Sequence, residues 1–310
     1  MRIFITGATD LVGRELIPAL IRHGHDVIGM ARTEAARAML QAMRATPLST
    51  QGRNVDELAE VLAGTQAIIH LATTIPTTDS AVEDEWRPSS EVVKGMLRYL
   101  IEASASSGVR TLVFPSFCGV YGNYGDACIT EDTPPNPEPS NQYYLEAEQM
   151  LLRATYDRRV AGVTLRMGLI YGADSPRTRG LLYALRKGQA TYTGEGDVIW
   201  PLIHVADAAT AIRLAAEQSP AGRVFNICDD HPVTQFELYS ELARMVGGPP
   251  PQPATPIIPG TGPLRFQRLD HSVRMTNWKA KRVLGFKLAY PTFREGYSAV
   301  LAELATRGQG

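Results

Sequence analysis

Short apolar runs alternate with segments of helical periodicity through the first half of the chain. Residues 3–5 form an apolar run that is typical of a strand buried on both faces. Apolar residues then recur at helical spacing from Leu16 to Ile21, and Gly24 marks the end of that segment. The pattern predicts further strands at residues 26–30, 67–71, 111–114 and 163–166, and further helices at 91–106 and 143–156. This alternation predicts βαβ units and therefore a parallel sheet with right-handed crossovers.

The second half of the chain shows a weaker pattern. Residues 172–200 are rich in Gly, Arg and Tyr, a helix is predicted over 204–217, and a strand over 224–227. Residues 247–263 are dense in Pro and Gly, which is typical of an exposed loop. We therefore expect one return of the chain to the sheet near residues 201–227 and a smaller lobe built from the rest.

The composition of the 310 residues is that of an ordinary globular protein, with 44% apolar and 20% charged residues. The formal net charge of −1 gives no electrostatic reason to expect a nucleic acid or an anionic membrane as partner. No apolar stretch approaches the length of a membrane span, so we expect a cytoplasmic protein that acts on a small molecule. The three cysteines and six histidines lack metal-ligand spacing, which predicts reduced thiols and no metal site.

A glycine-rich turn, TGATDLVG, joins the first strand to the first helix. Gly7 stands where the turn is tight, and Gly13 stands where the helix must pack closely on the sheet. In a βαβ unit, the amides of such a turn and the positive end of the helix hold a pyrophosphate. The predicted contacts to a dinucleotide are Gly7, Thr9, Asp10, Leu11, Val12 and Gly13. The pattern thus predicts a Rossmann-type, doubly wound α/β domain from residues 1–171 and 201–227, with a substrate-binding lobe from 172–200 and 228–310.

Asp10 occupies the position at which this turn normally has its middle glycine. A carboxylate there would face the like charge of the pyrophosphate. Asp also favours the first position of a helix, where its side chain bonds to a backbone amide. We favour a helix cap whose carboxylate turns away from the phosphates. The alternative is weakened or lost cofactor binding.

Arg32 follows the second predicted strand, where the chain reaches the adenine ribose. Sites that prefer NAD place an acidic residue there, whereas an Arg favours the 2′-phosphate of NADP. The cofactor prediction is therefore NADP(H) over NAD(H). A solvated Arg at the end of a strand is the other interpretation.

Six later segments follow the glycine-rich turn in a characteristic order. They are AIIHLAT, VFPSFCGVYG, VTLRMGLIYG, PLIHVADAATAI, VFNICDDHPVT and NWKAKRVLGFKLAYPTFREGY. Together they resemble the extended short-chain dehydrogenases/reductases of the NAD(P)-dependent epimerase/dehydratase type, as a divergent member. The resemblance implies a Rossmann-type sheet, a smaller C-terminal lobe and, in many members, a homodimer. It also implies that the cofactor borders Leu71, Ala72, Thr73, Pro115, Tyr144, Met167, Leu169 and Ile170.

The resemblance breaks down at the family's acid/base residues. These are a Ser or Thr, a Tyr, and a Lys four residues after the Tyr. Counting along the similar segments puts Phe117 at the Ser position, Ser140 at the Tyr position and Tyr144 at the Lys position. No register that uses Tyr143 or Tyr144 as the Tyr restores the Lys. A reductase with such a site would take its proton from elsewhere, including the substrate itself.

Ser116, Tyr143 and Tyr144 remain the candidates for polar contacts with a substrate. Ser116 would orient a carbonyl and the tyrosines would touch the ribose or the substrate, but turn formation and packing explain them equally well. Three hypotheses for function stay open. The first is NADPH-dependent reduction of a ketone on a bulky, polycyclic aromatic substrate, as in the polyketide pathways of antibiotic biosynthesis. The second is a sugar-nucleotide epimerase or dehydratase, and the third is a non-catalytic NADP-binding sensor.

Overall fold

Seven parallel strands form the central sheet. The computed structural model describes residues 1–50, 54–72, 90–192, 194–254 and 271–308. Within these ranges the strands are β1 (Arg2–Thr6), β2 (Asp26–Met30), β3 (Thr46–Leu48), β4 (Ala67–His70), β5 (Thr111–Phe117), β6 (Cys128–Ile129), β7 (Ala161–Met167), β8 (Leu169–Tyr171), β9 (Thr191–Tyr192), β10 (Ile199–Trp200), β11 (Leu202–His204), β12 (Arg223–Ile227), β13 (Val233–Thr234), β14 (Gln252–Pro253) and β15 (Arg274–Met275). The order β12-β7-β5-β4-β1-β2-β3 makes the sheet doubly wound and confirms the predicted fold class. Winding reverses between β1 and β4, and ligands of such sheets bind at the carboxyl ends of the strands there.

Helices cover both faces of this sheet. The described ranges contain α1 (Leu11–Arg22), α2 (Glu34–Ala42), α3 (Val55–Val61), α4 (Met96–Ser107), α5 (Gln142–Tyr156), α6 (Pro176–Arg186), α7 (Val205–Gln218), α8 (Gln235–Met245), α9 (Trp278–Leu284) and α10 (Phe293–Thr306). A π-helical turn, Glu91–Gly95, leads into α4, and the 3₁₀ turn Pro139–Asn141 leads into α5. Among the helices described, none has the length and apolar character needed to span a bilayer.

β1 is covered by helices on both faces, which explains why its consecutive residues are apolar. Ile3 and Ile5 pack with α1 and α7 on one face, and Phe4 packs with α4 and α5 on the other. All three side chains are fully buried. The sequence prediction of a strand covered on both sides is therefore confirmed.

His204 ends β11 and caps α7. Its Nδ1 accepts the backbone amide of Ala206 over 3.2 Å, and burial lowers its pKa to about 4. The imidazole is therefore neutral near pH 7 and able to accept this bond. His204 thus acts as the N-cap of α7.

A separate cluster of buried side chains lies outside the two sheet faces. Trp200, Tyr239, Phe293 and Tyr297 are among its larger members. The segment 118–121 also belongs to it, although the sequence pattern placed that segment in the nucleotide domain. The exact division into domain and lobe stays a prediction.

Candidate dinucleotide site

The turn between β1 and α1 has no room for side chains at its glycines. Gly7 has φ +66°, and a Cβ there would lie 2.6 Å from the amide nitrogen of Ala72. A Cβ at Gly13 would lie 2.3 Å from the carbonyl oxygen of Ala8. The turn is therefore held tightly against the end of β4, with the amide end of α1 at the carboxyl edge of the sheet. This cradle fits the pyrophosphate of a dinucleotide.

A buried hydrogen-bond chain fixes the base of this turn. The Oγ1 of Thr6 lies 2.7 Å from Nδ1 of His70, and the Nε2 of His70 lies 3.0 Å from the carbonyl oxygen of Val93. A carbonyl can only accept, so Nε2 carries the proton and Nδ1 accepts the Thr6 hydroxyl. Burial lowers the pKa of His70 to about 4, which keeps the ring neutral. The chain ties β1 and β4 to the π-helical turn, and no local sequence signal pointed to it.

Asp10 occupies the N-cap position of α1, with extended backbone at φ −75° and ψ 174°. Its side chain makes no capping hydrogen bond, so the predicted cap is wrong in that respect. Partial burial in the turn raises the pKa of Asp10, and the guanidinium groups of Arg32 and Arg14 lower it. The carboxylate thus lies in the field of two cations, one on α1 and one after β2.

Replacing Asp10 by Asn is expected to tighten NADPH binding about tenfold, because one unit of like charge near a phosphate costs roughly 1–2 kcal/mol at partly exposed sites. Asn keeps the shape of the side chain and its compatibility with the helix start. Fluorescence titration of NADPH measures the affinity. Asp157→Asn is the matched control, because Asp157 is an exposed acid at the other end of α5 from the site. Unchanged affinity in Asp10→Asn would mean that the carboxylate does turn away from the phosphates.

Arg32 lies two residues beyond the end of β2, as predicted. The next residue, Thr33, caps α2 by accepting the amide of Ala36 over 3.1 Å. Arg32 is exposed and makes no ion pair within 4 Å to any other described residue. Its position at the start of α2, beside the carboxyl edge of the sheet, suits an anionic group on the adenine ribose.

The other predicted cofactor neighbours lie near the same edge. Leu71 and Ala72 directly follow β4, and Pro115 lies near the end of β5. Met167, Leu169 and Ile170 lie where β7 ends and β8 begins. Thr73 falls outside the described residues. The contacts of this group with a cofactor stay predictions.

An aromatic pair stands at two of the positions where the resemblance expects acid/base residues. Phe117 ends β5 and Tyr144 lies in the first turn of α5, with ring centroids 5.8 Å apart. The ring of Tyr143 lies 4.4 Å from that of Tyr144. Phe117 and Tyr144 are partly exposed, whereas Tyr143 is buried. Tyr143 therefore packs in the interior, and Tyr144 is the tyrosine that a ligand can reach.

Ser116 points into the protein rather than toward a ligand. It is 3% exposed, and its hydroxyl donates to Oε1 of Glu148 over 2.5 Å. The carboxylate of Glu148 also accepts Nε and Nη2 of Arg166, at 3.1 Å and 2.8 Å from Oε2. The expectation that Ser116 orients a substrate carbonyl is corrected, because its one proton is already donated to a buried carboxylate.

This ion pair continues toward the edge of the sheet. Burial by itself would lower the pKa of Arg166, but Glu148 raises it above its usual value. The guanidinium lies 4.6 Å from the ring centre of Tyr121, whose hydroxyl donates to Oδ1 of Asn226 over 2.7 Å. Burial raises the pKa of Tyr121 to about 12. The network keeps both charges inside the protein.

Comparison with known proteins identifies the family. The model of the NAD dependent epimerase/dehydratase family matches residues 3–228. The chain belongs to this family. Its members are NAD(P)-dependent oxidoreductases and related enzymes, and the glycine-rich turn described above lies inside the matched range.

Relatives within this family differ in the reaction that their names state. The 3-diazoavenalumate denitrifying reductase of a Streptomyces species is 27% identical over 303 residues, covering 96% of this chain and 99% of the relative. The 4-hydroxy-2-methyl-3-oxo-4-farnesyl-3,4-dihydroquinoline-1-oxide ketoreductase of Stigmatella aurantiaca is 28% identical over 251 residues, covering 79% and 72%.

Solved structures share this fold over nearly the full length of both chains. The UDP-glucose 4-epimerase of Thermotoga maritima superposes with a TM-score of 0.82 at 19% identity, covering 99% of both chains. At this identity the likeness establishes the shared architecture and leaves the reaction to be argued from the site.

Proposed function

We propose that this protein reduces a ketone on a bulky, polycyclic aromatic substrate with NADPH. The observation that carries the proposal is the aromatic pair of Phe117 and Tyr144 in place of the family's polar and cationic residues. With Ser140 at the expected Tyr position, the site lacks the Tyr and Lys arrangement that shuttles a proton. What remains is a partly exposed aromatic surface beside a dinucleotide cradle.

The bound dinucleotide would supply a hydride to the carbonyl carbon. The rings of Phe117 and Tyr144 offer planar apolar surface on which an aromatic substrate can stack. The Tyr144 hydroxyl is a neutral donor that can polarise the carbonyl oxygen. A phenol or enol next to the ketone would pass its proton to the developing alkoxide. The protein then has to bind, orient and exclude water, and needs no acid of its own.

Reductive removal of a diazo group from an aromatic ring is the second candidate. It is supported by the denitrifying reductase, which aligns over nearly its entire length with this chain. Hydride addition with loss of dinitrogen replaces the nitrogen on the ring by hydrogen and consumes no proton. Such a reaction also suits a site without the Tyr and Lys. Sugar-nucleotide epimerisation is less well supported, because it depends on that missing pair.

NADPH oxidation, followed by absorbance, tests these candidates against a panel of compounds. The panel contains hydroxylated polycyclic ketones and an aryl diazonium salt. UDP-glucose, which NADPH cannot reduce, is incubated separately with NAD, and its epimerisation is followed by chromatography of the sugar nucleotides. We expect turnover with one of the first two classes, and a loss of no more than about 10²–10³ in kcat for Tyr144→Phe, the range of a removed polarising donor. Turnover of UDP-glucose alone would contradict the proposal. NADPH binding without turnover of any compound would favour a sensor.

Arg32→Ala is expected to weaken NADPH binding by about tenfold to a hundredfold, because a lost charge-assisted phosphate contact costs roughly 1.5–3 kcal/mol. The affinity for NADH should stay nearly unchanged, since NADH lacks the 2′-phosphate. Titration of both cofactors into both proteins measures the difference. Arg37→Ala is the control, because Arg37 lies on α2 and pairs with Glu34 at 3.6 Å. Equal affinities of the wild type for NADPH and NADH would disprove the predicted preference.

A further inference from the structure

Ser116 is a buried hydroxyl for which the proposed reaction has no use. Its bond to Glu148 joins the end of β5 to α5, two elements that meet beside the candidate site. Ser116 immediately precedes Phe117, and Glu148 lies one helical turn after Tyr144. The hydrogen bond therefore connects the two segments that carry the aromatic pair, within a few residues of each ring.

The acceptor of this bond is itself immobile. Oε2 of Glu148 accepts hydrogen bonds from Nε and Nη2 of Arg166, at 3.1 Å and 2.8 Å. Arg166 belongs to β7, and Tyr121 beneath it bonds to Asn226 on β12. Arg166 on β7 thus holds the Glu148 carboxylate, and Tyr121 in turn holds Arg166, so that Ser116 is bonded to a fixed point on α5.

We propose that Ser116 is a positioning residue, whose hydrogen bond to Glu148 sets the spacing and tilt of Phe117 against Tyr144. This role rests on the proposed function, in which that pair orients the substrate. Removal of the hydroxyl leaves Glu148 bound to Arg166, so the ion pair and the fold persist. The first turn of α5 is then free to shift against the end of β5, and the two rings shift with it.

The test compares Ser116→Ala with a matched buried serine. Ser104 is 1% exposed, and its hydroxyl bonds to the carbonyl oxygen of Leu100 within α4, in a different element from the aromatic pair. The readouts are the near-ultraviolet circular dichroism of the neighbouring Tyr143 and Tyr144 rings and the emission of bound NADPH. Tyr144→Phe identifies the part of the dichroism that belongs to Tyr144.

We expect Ser116→Ala to alter the Tyr144 part of the dichroism and the emission of bound NADPH, while its affinity for NADPH changes by less than about threefold. Ser116→Thr, which keeps a hydroxyl, should restore most of both signals. Ser104→Ala should lower the melting temperature without moving either signal. Ser116→Cys, nearly equal in size but a weaker donor, should give an intermediate result and serves if the alanine variant does not fold.

Two outcomes separate this inference from the proposed function. Wild-type dichroism and emission in Ser116→Ala, with a lowered melting temperature alone, would overturn the positioning role. Failure of the wild type to bind NADPH would instead disprove the proposed function. In that case the dichroism of Ser116→Ala, set against Tyr144→Phe, still decides whether Ser116 positions the ring.

Discussion

Arg166→Leu is expected to lower the free energy of unfolding by about 3–5 kcal/mol, the range measured when one partner of a buried ion pair is removed. Glu148 is 5% exposed, and without Arg166 its charge would keep only the hydroxyl of Ser116 as a partner in the described structure. The leucine also forfeits the stacking of the guanidinium on Tyr121. Urea denaturation at pH 7 measures the change.

A double variant separates the buried charge from the lost packing. Glu148→Leu combined with Arg166→Met removes both charges and keeps similar volume, so it should recover most of the lost stability. Exposed Arg159, which lies 3.9 Å from Asp157, supplies the control, because Arg159→Leu should change stability by only about 0.5 kcal/mol. A small effect of Arg166→Leu would mean that water reaches the Glu148 carboxylate.

Asp229→Asn is expected to stabilise the protein at alkaline pH. Asp229 is 3% exposed, and its Oδ1 accepts the amide of His231 over 3.0 Å, while its Oδ2 has no hydrogen-bond partner among the described residues. Burial raises the pKa of Asp229 to about 8. The hydrogen bond from the backbone amide of His231 lowers this pKa, whereas the negative charge of Asp230 raises it further. The folded protein therefore holds this proton up to about pH 8, while the unfolded chain releases it near pH 4.

The direction of the pH dependence follows from this difference. Between about pH 4 and pH 8 the folded state binds more protons than the unfolded state, so the contribution of Asp229 to stability falls as the pH rises. Below that range the variant and the wild type should be equally stable. Above it, the variant should be more stable by about 2–5 kcal/mol, since the amide is close to the carboxylic acid in size and carries no charge. Parallel stability curves from pH 5 to pH 9 would disprove the raised pKa.

The repeating pattern of the chain determined most of the sheet. Apolar runs buried on both faces can be recognised locally, so the strands at β1, β2, β4, β5, β7 and β12 were predictable. Gly7 and Gly13 were predictable too, because a tight strand-to-helix turn excludes side chains at those positions. The short strand β3 and the helices α2 and α3 were missed. They have three, nine and seven residues, respectively, which is too short a stretch for a period to be recognised along the chain.

The absence of the family's Tyr and Lys was also visible in the sequence, because a missing side chain needs no structure to be noticed. The roles of the residues that remain were decided by tertiary contacts. Ser116 and Glu148 are 32 positions apart, and Thr6 and His70 are 64 apart, so no local pattern relates them. Sequence position suggested that Ser116 faces a ligand and that Asp10 caps its helix. In the structure the Ser116 hydroxyl instead donates to the buried carboxylate of Glu148, and the Asp10 side chain makes no capping hydrogen bond and feels the charges of Arg32 and Arg14. A buried polar side chain such as Ser116 turns toward the hydrogen-bond partner that the packed structure brings within reach.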